Sequence, residues 1–177
     1  MTAKTTLQVG LLGLVMTGSS LALPGEAKAA QLCELPSVLS IEKSSNRNQV
    51  NYSALVDDAC APVGQAPVKP YWLMLERGPA ATEPLSRSEE RVLGVRNQAV
   101  DGNQVRISLR GMPDRTITIA TQRGPDGRCA SVAEMTIAGV EARVAGVWVK
   151  QKFLGIDYVL LTGWAEDGKV VRERVSP

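Results

Sequence analysis

Chemistry in this sequence would have to come from a serine–lysine spacing, a few carboxylates, three cysteines or seven aromatic side chains, because the chain contains no histidine. Without an imidazole, a serine or cysteine triad of the usual kind cannot be assembled. Ser40-Ile41-Glu42-Lys43 matches an S-x-x-K spacing, in which one helical turn places lysine beside a nucleophilic serine. Here the run alternates like a strand, which sends Ser40 and Lys43 to opposite faces, and neither S-D-N nor K-T-G follows. Glu76, Glu83, Glu89 and Glu90 are the candidates for an acid and base pair in a histidine-free hydrolase. Glu89 is better explained by a helix cap. Phosphate-binding, EF-hand and dinucleotide fingerprints are missing, so no catalytic residue, metal or cofactor is assigned.

The aromatic residues are Tyr52, Tyr71, Trp72, Trp148, Phe153, Tyr158 and Trp164. Several fall on strand-like runs where they could converge on a cavity for an apolar or sugar ligand; the alternative is that they fill the core. Alternation puts Trp148 beside Lys150 and Lys152 rather than with Val147 and Val149.

Cysteine usage depends on where the chain lives. Lys4, the apolar run from Val9 to Leu23 and Ala27-Lys28-Ala29 read as a Sec-type signal peptide over residues 1–30, cleaved after Ala29 or Ala30. The run of about 15 residues is short of the roughly 20 that span a bilayer, so no transmembrane segment is expected after cleavage. Cys33 lacks the small residue that a lipobox places before its cysteine. A periplasmic or secreted bacterial protein follows. In an oxidising compartment two of Cys33, Cys60 and Cys129 should pair. Cys60 with Cys129 is favoured because both end strands, and Cys33 with Cys60 stays open because they flank a hairpin. Their spacing excludes a zinc ribbon and a C-x-x-C redox pair.

The net formal charge is +2, too small for the concentrated positive field of a general nucleic-acid binder. Arg106, Arg110 and Arg115 gather locally and read as a solvated strand face. Residues 31–177 are the size of one domain with a real core.

The elements that must position these residues are mostly strands. Asp101-Gly102, Asp126-Gly127 and Asp167-Gly168 lie between alternating runs, and type I′ turns, with positive φ at both central residues, suit that dipeptide. Val38–Ser45 and Val50–Asp57 flank a four-residue loop, Asn46-Arg47-Asn48-Gln49. Val68–Arg77 is rich in large apolar residues, and Pro70 places its start at an edge or bulge. Ser86-Arg87-Ser88-Glu89 is a capping box for one short helix over Arg87–Leu93, with Gly94 expected in a left-handed C′ position. Gln104–Arg110, Arg115–Gln122, Arg128–Ile137, Val140–Phe153, Ile156–Ala165 and Lys169–Val175 complete the set. The apolar phase shifts near Ala145-Gly146, which predicts a bulge. The sequence therefore predicts a mainly antiparallel all-β domain, a small barrel or compact sandwich of about 8–10 strands with one short helix.

The stretches Ile41-Glu42-Lys43-Ser44-Ser45-Asn46-Arg47-Asn48-Gln49-Val50-Asn51-Tyr52, Pro67-Val68-Lys69-Pro70-Tyr71-Trp72, and Glu83-Pro84-Leu85 with Glu89 resemble the DUF4833 domain family over roughly Val38–Val175. The resemblance implies a small exported bacterial domain and directs attention to Lys43, Asn46, Asn48, Tyr71 and Trp72. With Trp148 and Tyr158 these are the candidate ligand-binding residues. Asn46 and Asn48 could equally hold a turn, and Tyr71 and Trp72 should point to opposite faces. The reading is an exported domain that binds a small apolar or amphipathic ligand or an envelope component without transforming it. An interaction module using an exposed strand edge, with an envelope protein as partner, and the carboxylate hydrolase are the alternatives.

Overall fold

The computed structural model describes residues 32–153 and 155–176, and the expected signal peptide lies outside them. Eleven strands and one helix follow in order: β1 (Cys33–Lys43), β2 (Gln49–Val56), β3 (Val68–Leu73), β4 (Thr82–Glu83), α1 (Arg87–Leu93), β5 (Val95–Asp101), β6 (Gln104–Leu109), β7 (Met112–Arg123), β8 (Cys129–Ile137), β9 (Val140–Lys152), β10 (Gly155–Ala165) and β11 (Val170–Val175). The count exceeds the expected range partly through β4, whose two residues carry no alternation to announce it. β1 starts at Cys33 rather than Val38, because an irregularity between Leu35 and Leu39 interrupts the period-two pattern.

The long strand β9 organises the sheet. Its pairing with β10 runs from Ala142 to Lys152, so that edge is full and both other neighbours must share the opposite one. β8 takes Val140–Arg143, antiparallel, and β1 takes Val147–Val149, parallel. Sharing is possible because β9 is irregular where the sequence predicts: Thr162 faces Gly146 while Gly163 faces Val144, leaving Ala145 as the extra residue. From this strand one wing runs β1-β2-β3-β4 and the other β8-β7-β6-β5.

The wings fold over a single core in which Tyr52, Val105, Ile107, Ile117 and Ile119 are fully buried. The sheet is not closed into a barrel, since no backbone ladder joins β3 to β5. The gap is bridged by one side chain instead. The Gln98 amide accepts from the Val68 N–H (3.0 Å) and donates to the Val68 carbonyl (2.8 Å), as a neighbouring strand's peptide group would. Pro70 fits this edge as expected. Leu55 N–H donates to Pro67 C=O, so odd-numbered residues of β3 face β2, and the donor that Pro70 lacks points away from the ladder.

Hairpin turns differ from the expectation in an instructive way. None of Asp101, Asp126 and Asp167 has positive φ; Gly102, Gly127 and Gly168 do. Gly102 takes the first central position of a two-residue loop between Asp101 and Gln104, the placement of a type II′ turn. In the other two hairpins the glycine ends a turn closed by Gly127 N–H to Gly124 C=O and Gly168 N–H to Ala165 C=O, the pattern of a type I turn with a G1 bulge. The two-residue loop with both φ positive is Ala138-Gly139, at 51° and 80°, joining Ile137 to Val140. Alanine in that region costs roughly 1 kcal/mol. Its N–H donates to the Glu173 carboxylate at 2.7 Å, and Glu173 also pairs with Arg115.

Helix α1 has the expected bounds and both halves of the capping box. Gly94 is not left-handed: its φ is −66°. Glycine is needed there because a Cβ would stand 2.3 Å from the Glu90 carbonyl oxygen.

Candidate functional site

Lys43 ends β1, and its register opposite Val149 puts it on the same side as buried Ile41, at the rim of the core. Trp72 lies on β3 opposite Val50 and Glu83 and is buried. The two meet with Lys43 Nζ 4.2 Å from the centre of the Trp72 ring, a contact worth about 0.5–1 kcal/mol where partly exposed. Glu89, the acidic member of the capping box, completes the group. Partial burial pushes its carboxyl up, but hydrogen bonds from Ser86 and the Trp72 side chain, with the Lys43 charge, outweigh that and hold it below its ordinary value. Lysine, indole and carboxylate thus link β1, β3 and α1.

These residues border a cleft of about 560 Å³. Its floor is apolar, made by Ile41, Val50, Val149 and Ile156 with the Trp72 ring, while Lys43, Lys152 and Glu89 supply charge at the rim. The apolar surface continues beneath into a void of about 30 Å³ against Leu109, Met112 and Val147. Below that the core is packed. Tyr52 is 0% exposed and donates to the Leu93 carbonyl at 2.6 Å, tying β2 to the end of α1, and burial pushes its hydroxyl above the ordinary phenol range. An aromatic-lined chamber inside a barrel is therefore not what this chain builds; the apolar space opens where the β1–β3 wing, α1 and the β9–β10 hairpin meet. Clefts of similar volume, about 570 Å³ beside Tyr71 and about 630 Å³ beside Trp164, are lined largely by prolines or charged residues.

The other candidates are dispersed. Asn46 accepts from the Asn48 N–H at 3.1 Å, and Asn48, itself buried, accepts from the Glu76 N–H at 3.2 Å. Both hold loops. Tyr71 sits on the face opposite Trp72, where its hydroxyl donates to the Pro36 carbonyl. Trp148 and Tyr158 pair with ring centres 5.8 Å apart, flanked by Lys150 and Arg174. Trp148 lies with Lys150 as the alternation implies. The seven candidates thus fall into separate places: Lys43 with Trp72 at the cleft, Trp148 with Tyr158 on the outer face, Asn46 with Asn48 in a loop, and Tyr71 alone on the opposite face of β3. Ser40 donates to the Asn51 side chain at 2.7 Å, away from Lys43.

Three of the four candidate carboxylates are engaged elsewhere or in loops. Glu83 is paired with Arg77, Glu89 is committed to its cap, and Glu76 lies beside the Arg47 N–H. Among the described residues no group of three or more His, Cys, Asp or Glu is placed to hold a metal ion. Nor is any helix among them long and apolar enough to cross a membrane. Two strand edges are guarded: β3 by Gln98 and β4, and β11 by alternating Arg172, Glu173 and Arg174.

Cys60 and Cys129 form the disulfide that the sequence favours, and Cys33 is free. Around it Thr121 donates its hydroxyl to the Cys60 carbonyl at 2.6 Å, and Arg123 reaches the Asp58 carbonyl. The sequence reading missed Gln98, Lys152 and Val92. Lys152 and Val92 belong to segments distant from Lys43 in sequence; the parallel β1–β9 contact brings Lys152 to it, and α1 brings Val92. A family model described as a domain of unknown function, DUF4833, matches residues 39–174. No curated protein and no solved structure matches the chain.

Proposed function

We propose that this protein, which belongs to the DUF4833 family, is an exported β domain that holds a small amphipathic ligand with an anionic head in the cleft where its β1–β3 wing, α1 and the β9–β10 hairpin meet. The observation that carries this is the union of an apolar floor with Lys43 fixed over Trp72. A cleft of about 560 Å³ is within the range that suits small ligands, which are typically bound by apolar walls and a few placed polar groups. The carboxylate of Glu89 is already engaged by the Ser86 hydroxyl and N–H, so Lys152 and the outward donors of Lys43 are left for an anion. The Cys60–Cys129 bridge supports an oxidising compartment.

The test uses two dyes of similar ring size, anionic 8-anilinonaphthalene-1-sulfonate and neutral N-phenyl-1-naphthylamine. Both should gain fluorescence with the protein. Lys43→Ala should weaken the sulfonate about tenfold, the scale of one charge-assisted hydrogen bond, and leave the neutral dye within about twofold; Trp72→Ala should weaken both. Equal affinity of the sulfonate for wild type and Lys43→Ala would sink the proposal.

A further inference from the structure

Beside the cleft the β9–β10 hairpin presents Phe153, which is 99% exposed and the most exposed large apolar side chain among the described residues. It lines the outer wall of the cleft. The side chains behind it are basic and aromatic. Lys152 adjoins it, Lys150 pairs across the hairpin with Tyr158, and Arg174 on β11 lies 3.8 Å from the Tyr158 ring. At ~3.3 Å per residue, Lys150 and Tyr158 stand about 10 Å behind Phe153. The one acidic residue from Lys150 to Tyr158 is Asp157.

We infer that this hairpin docks the protein on an anionic lipid bilayer, with Phe153 entering the acyl boundary and Lys150, Lys152 and Arg174 meeting the headgroups. An interfacial element buries its apolar part ~5–10 Å deep and keeps tyrosine and cations at headgroup level, which is the spacing found here. Charge complementarity selects the partner. Lys152 beside Phe153, with Lys150 and Arg174 behind it, gives the hairpin a positive face that matches an anionic surface. Each lysine near an anionic surface raises partitioning roughly fivefold. The inference stands on the hairpin and does not require a ligand in the cleft.

The experiment uses the full chain carrying Cys33→Ser and Phe153→Cys, labelled at the new thiol with an environment-sensitive nitrobenzoxadiazole. Its reading is local to the hairpin, and the phosphatidylcholine arm reports any insertion that the apolar run near the N-terminus drives by itself. With phosphatidylglycerol vesicles the emission should shift to the blue and rise several-fold. Phosphatidylcholine vesicles should give little change. Adding Lys150→Gln and Lys152→Gln should weaken the phosphatidylglycerol response by about 25-fold. Unchanged emission on phosphatidylglycerol, or an equal response on phosphatidylcholine, overturns the inference. So does a blue shift that grows with protein concentration in the absence of vesicles, which would make the hairpin a contact between copies of the chain. In each case the dye titrations at Lys43 and Trp72 retain their own outcome.

Discussion

The two ends of β2 are built on different principles. Near Val56 the wings are locked: a disulfide joins Cys60 to Cys129, and the hydroxyl of Thr121 and the guanidinium of Arg123 reach across to backbone carbonyls. Near Val50 a cleft opens between the β1–β3 wing and the β9–β10 hairpin, edged by a short helix, a lysine on an indole and an exposed phenylalanine. A sheet that stops short of closure needs fixing at one place and leaves the other accessible. Stability should therefore respond mainly to the first region and binding mainly to the second.

The largest effect is expected from removing the disulfide. Cys60 and Cys129 are 69 residues apart, and a loop of that length corresponds to ~4 kcal/mol by the chain-entropy model. Cys60→Ser with Cys129→Ser should lower denaturant stability by about that amount, while the dye affinity extrapolated to the folded fraction stays within twofold. A loss of affinity in the folded double variant would break the separation between the regions.

Tyr52→Phe comes next. It deletes one hydrogen bond and strands a carbonyl at the end of α1, for a cost of about 1–3 kcal/mol by equilibrium unfolding. Because Leu93 also lines the cleft, this variant should touch both regions and loosen dye binding as well. A stability loss with unaltered dye affinity would show that α1 does not shape the cleft.

Acid should act through Glu89 and Glu173. Burial acts against Glu89, yet Ser86, Trp72 and Lys43 together lower it, while a hydrogen bond from Arg115 leads the lowering of Glu173. Both are more acidic folded than unfolded, so each contributes stability above the ordinary glutamate value of about 4.3 that is lost as pH falls through the lower folded value. The melting temperature should decline below about pH 4.5, and Glu89→Gln should flatten part of that slope while leaving the melting temperature near pH 3 unchanged. An unaltered slope would remove Glu89 from the linkage.

The smallest effect is expected at Ala138, which carries a φ of 51°. Ala138→Gly should relieve backbone strain and raise stability by about 0.5–1 kcal/mol, with no change in either dye. A loss of stability would show that the unfolded-state entropy of glycine outweighs the strain.

Sequence and structure part company along a physical line. Features decided within a few residues were legible: the Ser86–Glu89 capping box, the phase shift at Ala145-Gly146, and the edge position of Pro70. The favoured pairing of Cys60 with Cys129 also held, because each lies beside a strand terminus. Turn geometry was legible only as to place. Asp-Gly marked three hairpins, but left-handed φ fell on glycine alone, and the loop with two positive values used Ala138, a residue with no turn preference. Illegible features all depend on distant pairing. The parallel contact of Ile41–Lys43 with Val147–Val149 has no local pattern, and it determines that Lys43 and Lys152 share one cleft. Gln98 reads as an ordinary polar strand residue until its amide is seen completing the edge of β3.

The claim that binding belongs to the mouth is tested most directly by amide and indole chemical shifts during titration of ¹⁵N-labelled protein with 8-anilinonaphthalene-1-sulfonate. The result expected is saturable movement of Lys43, Val92, Ile156 and the Trp72 indole, with Thr121, Arg123 and Cys129 still. Movement centred on Thr121, Arg123 and Cys129, or on Trp148 and Tyr158 with Trp72 unmoved, would contradict it.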